Sequence, residues 1–284
     1  MKKLFSRCMA LFRERRRPER HSVRDFKRLR DVQIPLAVPL GYSFCCMRAV
    51  FADCHVGRRP DDDAPFLLAL DRAAARGAGA ISLLGDIFHF FIAHKKFETP
   101  AIARFLRKAE ELRARGIAVT YVEGNRDFFL RGSYVEPYFR SVCDEETFEA
   151  GGRRFLLVHG DRLNEADLPY WFWRHLSKNS FSRFCLNLVP REAGNRLVWK
   201  TEARLYRSNF KHKKRLPVEM IRKFAARRLA QGIDVLLLGH FHHSWSEPVD
   251  GGRVEILPAF VDERRWMEVD DQGATKLVGL EERT

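Results

Sequence analysis

Short apolar runs recur along this chain, at 49–52, 80–84, 117–122, 155–158 and 235–238, and Gly or Asp lies at or near the boundary of each. Runs of four to six residues are too short for core helices but match strands that are buried on both faces. The chain is therefore constrained to a fold built around several buried strands.

Helical stretches separate the earlier runs. The segments 65–76 and 100–115 carry apolar residues at helical spacing. Pro100 suits the first turn of a helix, and Gly77 and Gly116 are typical helix stops. This alternation predicts an α/β fold with strands in parallel.

Paired glycines add antiparallel strands to this pattern. Gly151-Gly152 joins two strand-like runs within 147–158, and Gly251-Gly252 does the same within 249–256. Mixed sheets sandwiched between helices follow. With 284 residues, the chain is long enough for one large domain with an insertion, and we assign 47–284 to that domain.

The segment 165–215 lacks any strand signal and is predicted as a helical insertion. Its apolar residues follow helical spacing, and many Lys and Arg are interleaved with them. Two interpretations are open. In the first, the apolar and basic surface of the insertion binds an anionic amphiphile. In the second, its stripe of aromatic and other apolar side chains packs the insertion onto the core, and the charged side chains form a solvated face.

The net charge of +14 is concentrated in a leader, 1–46, which contains twelve Lys or Arg and four Asp or Glu. It is an interfacial helix on anionic lipid, a disordered basic tail, or an untranslated stretch ahead of a start at Met47. Its apolar run 34–46 contains two prolines and is shorter than the roughly 20 residues that span a bilayer. The six cysteines show no Cys-x-x-Cys pair, which favours a reducing cytoplasm over secretion.

Residues of metal-ligand type stand directly after the apolar runs. Carboxylate, amide and imidazole groups suit two divalent transition ions, and a carboxylate such as Asp86 can bridge ions about 3.5–4 Å apart. Open α/β folds place ligands at the carboxyl ends of strands. A two-metal site that hydrolyses a phosphate ester or anhydride is therefore predicted from Asp53, His55, Asp86, Asn125, His159, His240 and His242.

Taken as a set, these motifs resemble those of the calcineurin-type metallophosphoesterases, and within that superfamily the UDP-2,3-diacylglucosamine hydrolases of lipid A synthesis. The resemblance spans 53–242 and implies a sandwich of two mixed β-sheets flanked by helices, with a helical lid insertion. It also implies two ions, expected to be Mn²⁺. One would be held by Asp53, His55, Asp86 and His242, and the other by Asp86, Asn125, His159 and His240.

Arg126 stands where many phosphatases and nucleases of the superfamily have a His that protonates an alkoxide leaving group. Arginine does not give up its proton at ordinary pH, but it can neutralise charge on a transferring phosphoryl group. A phosphate leaving group needs less protonation, so we expect a diphosphate substrate and Asn125, Arg126 and His240 as catalytic residues. Asp127 and Asp161 are predicted to orient Arg126 or a ligand imidazole, unless they only cap turns.

The resemblance continues into the insertion, with departures. The stretch from His159 to Asp167 is similar to the family's entry into its lid, and Asp167 is expected to contact substrate together with Asn125, Arg126 and His240. The family's lid supplies Ser, Asn and Lys contacts, but their spacing differs here, and only Asn209 is predicted as one. His89 replaces a carboxylate that many relatives carry.

The reaction implied is attack of water on the α-phosphorus of UDP-2,3-diacylglucosamine, which releases UMP and 2,3-diacylglucosamine 1-phosphate. Divalent ions lower the pKa of water to about 7 and so make hydroxide available. The expected partners are this anionic nucleotide-lipid and a membrane surface, not nucleic acid. The expected location is peripheral, on the cytoplasmic face of the bacterial inner membrane.

Two other functions stay open. A general phosphodiesterase or phosphatase acting on nucleotides or nucleic acid would also suit the basic surface, although Arg126 and the aromatic insertion argue against it. A non-catalytic membrane-binding module would use the leader and the insertion as its functional surfaces. The complete ligand set argues against that alternative.

Overall fold

The computed structural model describes residues 47–58, 62–164, 167–190, 192 and 216–282. The predicted leader 1–46 lies outside the described residues. So does most of the second half of the predicted insertion, including Asn209. In the described part of the chain, no helix is long and apolar enough to cross a bilayer.

The five predicted apolar runs and the two helices predicted between them begin and end close to the predicted positions. The strands are β1 (Met47–Phe51), β2 (Ala78–Leu84), β3 (Phe91–Ile92), β4 (Ala118–Val122), β5 (Asp127–Phe128), β6 (Ser141–Cys143), β7 (Glu145–Ala150), β8 (Arg153–Val158), β9 (Val235–Leu238), β10 (Trp245–Val249), β11 (Gly252–Ile256), β12 (Arg265–Val269) and β13 (Thr275–Gly279). The α-helices are α1 (Ala64–Ala75), α2 (Pro100–Ala114), α3 (Leu168–Ser177), α4 (Ser180–Leu188), α5 (Val218–Leu229) and α6 (Phe260–Glu263), with short 3₁₀ turns at Lys95–Phe97 and Glu136–Tyr138. Of these elements, β3, β5, β6, β12, β13, α5 and α6 had not been predicted.

Two mixed β-sheets form the centre of the fold, as predicted. The six-stranded sheet has the order β13-β12-β1-β2-β4-β6, in which β1, β2, β4 and β6 are parallel and β12 and β13 are antiparallel to their neighbours. The five-stranded sheet has the order β10-β11-β9-β8-β7, with the two predicted hairpins β7-β8 and β10-β11 at its edges. The parallel pair β3-β5 is not foreseen, since each strand has only two residues.

Side-chain alternation along β8 shows how the layers are joined. Phe155 and Leu157 face the other sheet and pack in one cluster with Val50 of β1 and Leu84 of β2. Leu156 and Val158 point the opposite way and pack against the inner face of α5. Because successive strand residues face opposite sides, a continuous apolar run serves both layers.

Aromatic rings fill the outer layer of the six-stranded sheet. Phe51 of β1 stacks on Trp266 of β12, with ring centroids 5.5 Å apart, and meets Phe66 of α1 edge to face at 5.8 Å. Phe66 in turn packs against Phe105 of α2. Thr99 caps α2 by accepting from the Ile102 amide, and Pro100 occupies its first turn.

The helical insertion is attached to the rest of the protein by its polar side. Tyr170 and Arg174 point inward from α3, and so does Lys178, the residue directly after this helix. Arg183 of α4 donates to the carbonyl of Gly132 at 2.8 Å. The large apolar side chains instead form an exposed apolar face, each being 43–73% exposed: Leu168, Phe172, Trp173, Leu176, Phe181, Phe184 and Leu188. For these residues the interpretation that the stripe packs onto the core is wrong.

Two leucines on α1 offer a matched test of this packing. Leu70 is 1% exposed beneath the helix and Leu68 is 47% exposed on its outer side. We expect Leu70→Ala to lower the free energy of unfolding by about 2–5 kcal/mol, because it removes buried apolar contacts and leaves a cavity. Leu68→Ala should lower it by less than about 1 kcal/mol. Urea unfolding measures both, and equal losses would contradict the described orientation of α1.

Candidate metal centre

The predicted ligands lie where the strand ends of the two sheets meet. Asp53 and His55 follow β1, Asp86 follows β2, and the backbone hydrogen bond from the His55 amide to the Asp86 carbonyl, 3.0 Å, keeps these loops side by side. In the other sheet His159 follows β8. Its carbonyl accepts from the amide of Gly239, at 3.1 Å, just before His240. Both sheets therefore direct polar side chains to the same place.

A first group of ligand atoms converges on the β1 side. The Nε2 atoms of His55 and His242 are 3.1 Å apart, and both approach Asp53 Oδ1, at 3.7 and 3.4 Å. Asp53 Oδ1 is buried and has no hydrogen-bond partner, and the same holds for Nδ1 of His55. Ligands of one ion at metal distances of about 2.0–2.2 Å lie roughly 3 Å apart, so these three atoms fit a bound cation.

A second group lies deeper, around His159. Its Nε2 is 3.6 Å from Asp86 Oδ1 and 3.3 Å from the Asn125 side-chain oxygen. Asp53 also reaches this group, so Asp53 belongs to both. The predicted bridging by Asp86 stays a prediction, and the structure adds Asp53 as a carboxylate within reach of two ions. His240 packs edge-on against His159, with ring centroids 5.2 Å apart.

Contacts on the far side of two imidazoles, those of His159 and His242, orient their ligand nitrogens. Nδ1 of His159 is 2.8 Å from the carbonyl of Leu84, and Nδ1 of His242 is 3.2 Å from a carboxylate oxygen of Asp262. Such contacts fix the tautomer and turn Nε2 toward an ion. The sequence pattern did not single out Asp262, because it lies on α6, away from any ligand motif.

Burial and charge set the protonation of the site. Burial opposes the charged form of Asp53, but the neighbouring imidazoles, that of His242 above all, hold the pKa of this carboxyl below its usual range. Burial raises the pKa of Asp86, and the charge of Asp53 adds to that rise. Burial also disfavours protonated His159, yet Asp86 and Asp53 outweigh it and raise the His159 pKa to about 9. The carboxylates of Asp53 and Asp86 thus favour the positively charged form of His159.

The ligand loops hold unusual backbone conformations. Every predicted metal ligand except Asn125 and His159 has a positive φ, between 46° and 71°. This left-handed region costs about 1–3 kcal/mol for a residue with a side chain and persists only where the surroundings impose it. The strand ends therefore stop extended structure abruptly and turn the side chains into the site.

Two glycines of the motifs are required by close packing. Gly85 has a φ of +74°, and a Cβ there would overlap the imidazole of His159. A Cβ at Gly124 would overlap the carboxylate of Asp86. The Gly-Asp and Gly-Asn pairs in the sequence thus reflect ligands of one loop lying directly against the backbone of another.

Asp127 does not act as predicted. Its Oδ2 accepts from the backbone amides of Asp86, at 3.0 Å, and Gly124, at 2.7 Å, while Oδ1 accepts from the hydroxyl of Tyr121 at 2.8 Å. It therefore ties the backbones of two ligand loops together instead of orienting Arg126 or an imidazole. Burial and the charge of Asp86 raise its pKa to about 6.

Asp161 binds the insertion. Its carboxylate accepts from the hydroxyl of Tyr170 and from Arg174, the latter at 3.1 Å. Burial disfavours its charged form, but His159 and Arg174 outweigh burial and lower its pKa to about 2. Asp161 therefore joins α3 to the loop that begins at His159, a role that sequence spacing did not reveal.

Arg126 lies at the rim of the second group. Its amide donates to Asp86 Oδ1 at 2.8 Å, its Nε is 3.5 Å from Asp86 Oδ2, and its Nη1 donates to the carbonyl of His89 at 3.1 Å. Its guanidinium also lies over the ring of Phe90. Asp167, the other described substrate candidate, caps α3 by accepting from the Tyr170 amide at 2.9 Å.

Two mixed sheets with carboxylate, amide and imidazole groups converging at their strand ends define a metallophosphoesterase of the calcineurin type. No protein-family model matches the sequence. A UDP-2,3-diacylglucosamine hydrolase of Pseudomonas putida (strain F1) is 31% identical over 242 residues, which cover 80% of this chain and 96% of that protein. One of Neisseria meningitidis is 26% identical over 234 residues, covering 78% and 94%. The chain belongs to the UDP-2,3-diacylglucosamine hydrolase family.

Solved structures also match over most of the chain. An archaeal phosphodiesterase has a TM-score of 0.45 at 12% identity and covers 82% of this chain and 98% of its own. Vps29 of Entamoeba histolytica, solved with Zn²⁺, has a TM-score of 0.41 at 14% identity and covers 82% and 97%.

We expect Asp127→Ala to weaken Mn²⁺ binding by about 10–100-fold, because the amides of Asp86 and Gly124 lose the acceptor that holds their loops together. Tyr121→Phe is the matched control, since it removes only the donor to Oδ1 and leaves both backbone contacts. Its effect should be several times smaller. Titration calorimetry with Mn²⁺ measures the two variants, and equal affinities for both would contradict the described role of Asp127.

Proposed function

We propose that this protein hydrolyses the diphosphate of UDP-2,3-diacylglucosamine and releases UMP and 2,3-diacylglucosamine 1-phosphate, a step of lipid A synthesis. The observation that carries the proposal is the pair of converging ligand groups that share Asp53. Membership of the UDP-2,3-diacylglucosamine hydrolase family supplies the substrate.

The donor set supports two divalent ions, and we favour Mn²⁺ because the family resemblance implies it; the carboxylate and amide oxygens suit this ion. Asp53, His55, Asp86 and His242 would hold one, and Asp86, Asn125, His159 and His240 the other. When bound, such ions lower the pKa of water to about 7 and neutralise charge on a phosphoryl group.

Arg126 is placed to stabilise negative charge on the transferring phosphoryl group. Three contacts orient it before any substrate arrives: the carboxylate of Asp86, the carbonyl of His89 and the ring of Phe90. A charge that is already oriented stabilises a transition state without reorganisation. Since arginine keeps its proton, a phosphate is the better leaving group at this site. His240, which packs against His159, would contact the substrate beside the second group of ligands.

The exposed apolar face supports the lipid half of the substrate and a membrane location. Contiguous apolar surface of this kind marks a binding site for a lipid, a membrane or another protein. An amphipathic helix with such a face lies in the plane of a membrane interface. We infer that the face contacts the lipid surface from which the substrate is drawn, on the cytoplasmic side of the inner membrane.

Asp86→Ala should lower the rate of UMP release by more than about 100-fold, because losing a ligand costs more than losing a group that only supports one. Asp71→Ala is the control: this partly exposed carboxylate on α1 pairs with Lys108 of α2, outside both ligand groups, and the variant should retain the wild-type rate. The assay follows UMP with Mn²⁺ and UDP-2,3-diacylglucosamine, beside bis-p-nitrophenyl phosphate. Hydrolysis of the diester without UMP release would contradict the proposal that UDP-2,3-diacylglucosamine is the substrate.

Replacing Phe172 and Phe184 together by Ser should weaken binding to phosphatidylglycerol-containing vesicles at least about tenfold, since burying one Phe side chain contributes about 1.5–3 kcal/mol. Both side chains are exposed on the apolar face. Leu68→Ser, on the exposed side of α1, is the matched control and should bind as wild type. Vesicle co-sedimentation measures this, and unchanged binding of the double variant would remove the face from the membrane proposal.

A further inference from the structure

The helical insertion reaches the metal centre through Lys178, the residue directly after α3. Its Nζ donates to the carbonyl of Gly124 at 2.7 Å, directly before Asn125 and Arg126. We propose that Lys178 is a positioning residue: it holds the peptide between Gly124 and Asn125 so that Asn125 faces the second ion and Arg126 the transferring phosphoryl group. The inference rests on the proposed function.

The register of α3 explains how Lys178 arrives there. Tyr170, Arg174 and Lys178 are spaced four residues apart and therefore lie on one side of the helix. Tyr170 and Arg174 both bind Asp161, and Arg174 also pairs with Asp144 at 3.2 Å. These three contacts set the direction of α3, and Lys178, one turn further along, then reaches the loop that carries Asn125.

Gly124 needs such a restraint. A Cβ at this position would overlap Asp86, and would come within 3.0 Å of His159 Nε2, so packing at the site requires glycine. Glycine is also the residue with the greatest backbone freedom. Asp127 fixes the peptide before Gly124 by accepting from its amide, and Lys178 fixes the peptide after it by donating to its carbonyl. The core holds one side of the glycine and the insertion holds the other.

The surroundings of Lys178 suit a firm contact. The side-chain nitrogen lies over the ring of Phe128, 5.3 Å from its centroid. Burial and the charge of Arg174 lower the pKa of Lys178, and the carboxylates of Asp127 and Glu123 oppose that fall. A hydrogen bond from a charged donor is about twice as strong as a neutral one. The alternative is that Lys178 only keeps the insertion attached by compensating buried carboxylates, and the experiment must separate these roles.

Lys96 provides the matched control. Its Nζ donates to the carbonyls of Leu186 and Val189 at the end of α4, so Lys96→Met also removes an ammonium that attaches the insertion. It does not touch Gly124. Lys178→Arg keeps a positive donor that can reach a carbonyl, and it guards against a loss of folding in Lys178→Met.

The experiment measures Mn²⁺ affinity by calorimetry and the kinetics of UMP release for the three variants. We expect Lys178→Met to weaken one of two Mn²⁺ sites about tenfold and to lower kcat about 10–100-fold, as for a lost ligand support. The KM should change much less, which marks an interaction needed for the reaction step. Lys178→Arg should restore most of both losses, and Lys96→Met should leave Mn²⁺ affinity and kcat as in the wild type.

Equal Mn²⁺ affinity in Lys178→Met and wild type would overturn the positioning role. So would equal losses in Lys178→Met and Lys96→Met, because these would reflect attachment of the insertion alone. A wild-type protein that binds two ions but releases no UMP would instead overturn the proposed function, and the Mn²⁺ comparison would still decide the role of Lys178.

Discussion

Two buried carboxylates, those of Asp53 and Asp86, lie close together where the two sheets meet, and their charge must be compensated in a place with little access to water. Charges buried without compensation cost several kcal/mol each. The two carboxylates raise the pKa of His159, and its protonated imidazole compensates part of their charge. Burial and the charge of Asp53 nevertheless raise the pKa of Asp86, so the charged form of that carboxylate stays disfavoured. Divalent cations are the natural complement, and the strand ends, the glycines and Asp127 all serve to keep this cluster together.

The sheets supply the rigidity that such a cluster requires. Asp53, Asp86 and His240 adopt left-handed backbone conformations that an isolated loop would avoid. Each follows a strand whose last three or more residues are buried and fixed by packing between layers. Binding groups carried on rigid elements keep their geometry better than groups on free loops. The packing of the two sheets thus stabilises the unfavourable left-handed backbone conformations of these residues.

Five buried strands, the two hairpins and the convergence of ligand-type side chains could be predicted from the sequence, because a buried strand that leads into such a site leaves a short apolar run followed by ligand-type residues. The orientation of the insertion could not be predicted. On α3 the polar row at Tyr170 and Arg174 and the apolar row at Leu168 and Phe172 both have helical spacing. Which row faces inward depends on Asp161, and on acceptors that lie far away along the chain. Two of the partners of Asp127 were missed because they are backbone amides, which almost every residue carries and which a sequence therefore does not distinguish.

The polar attachment of the insertion has a thermal consequence. Exposing apolar surface raises the heat capacity on unfolding, whereas exposing polar surface lowers it. Separating α3 and α4 from the core would uncover mainly hydrogen-bonding groups such as Arg174, Lys178 and Arg183, because the apolar side chains are already outside. The free energy of this attachment should therefore vary almost linearly with temperature. The apolar interior between the sheets follows a curved profile instead, and in the cold the attachment should not weaken as that interior does.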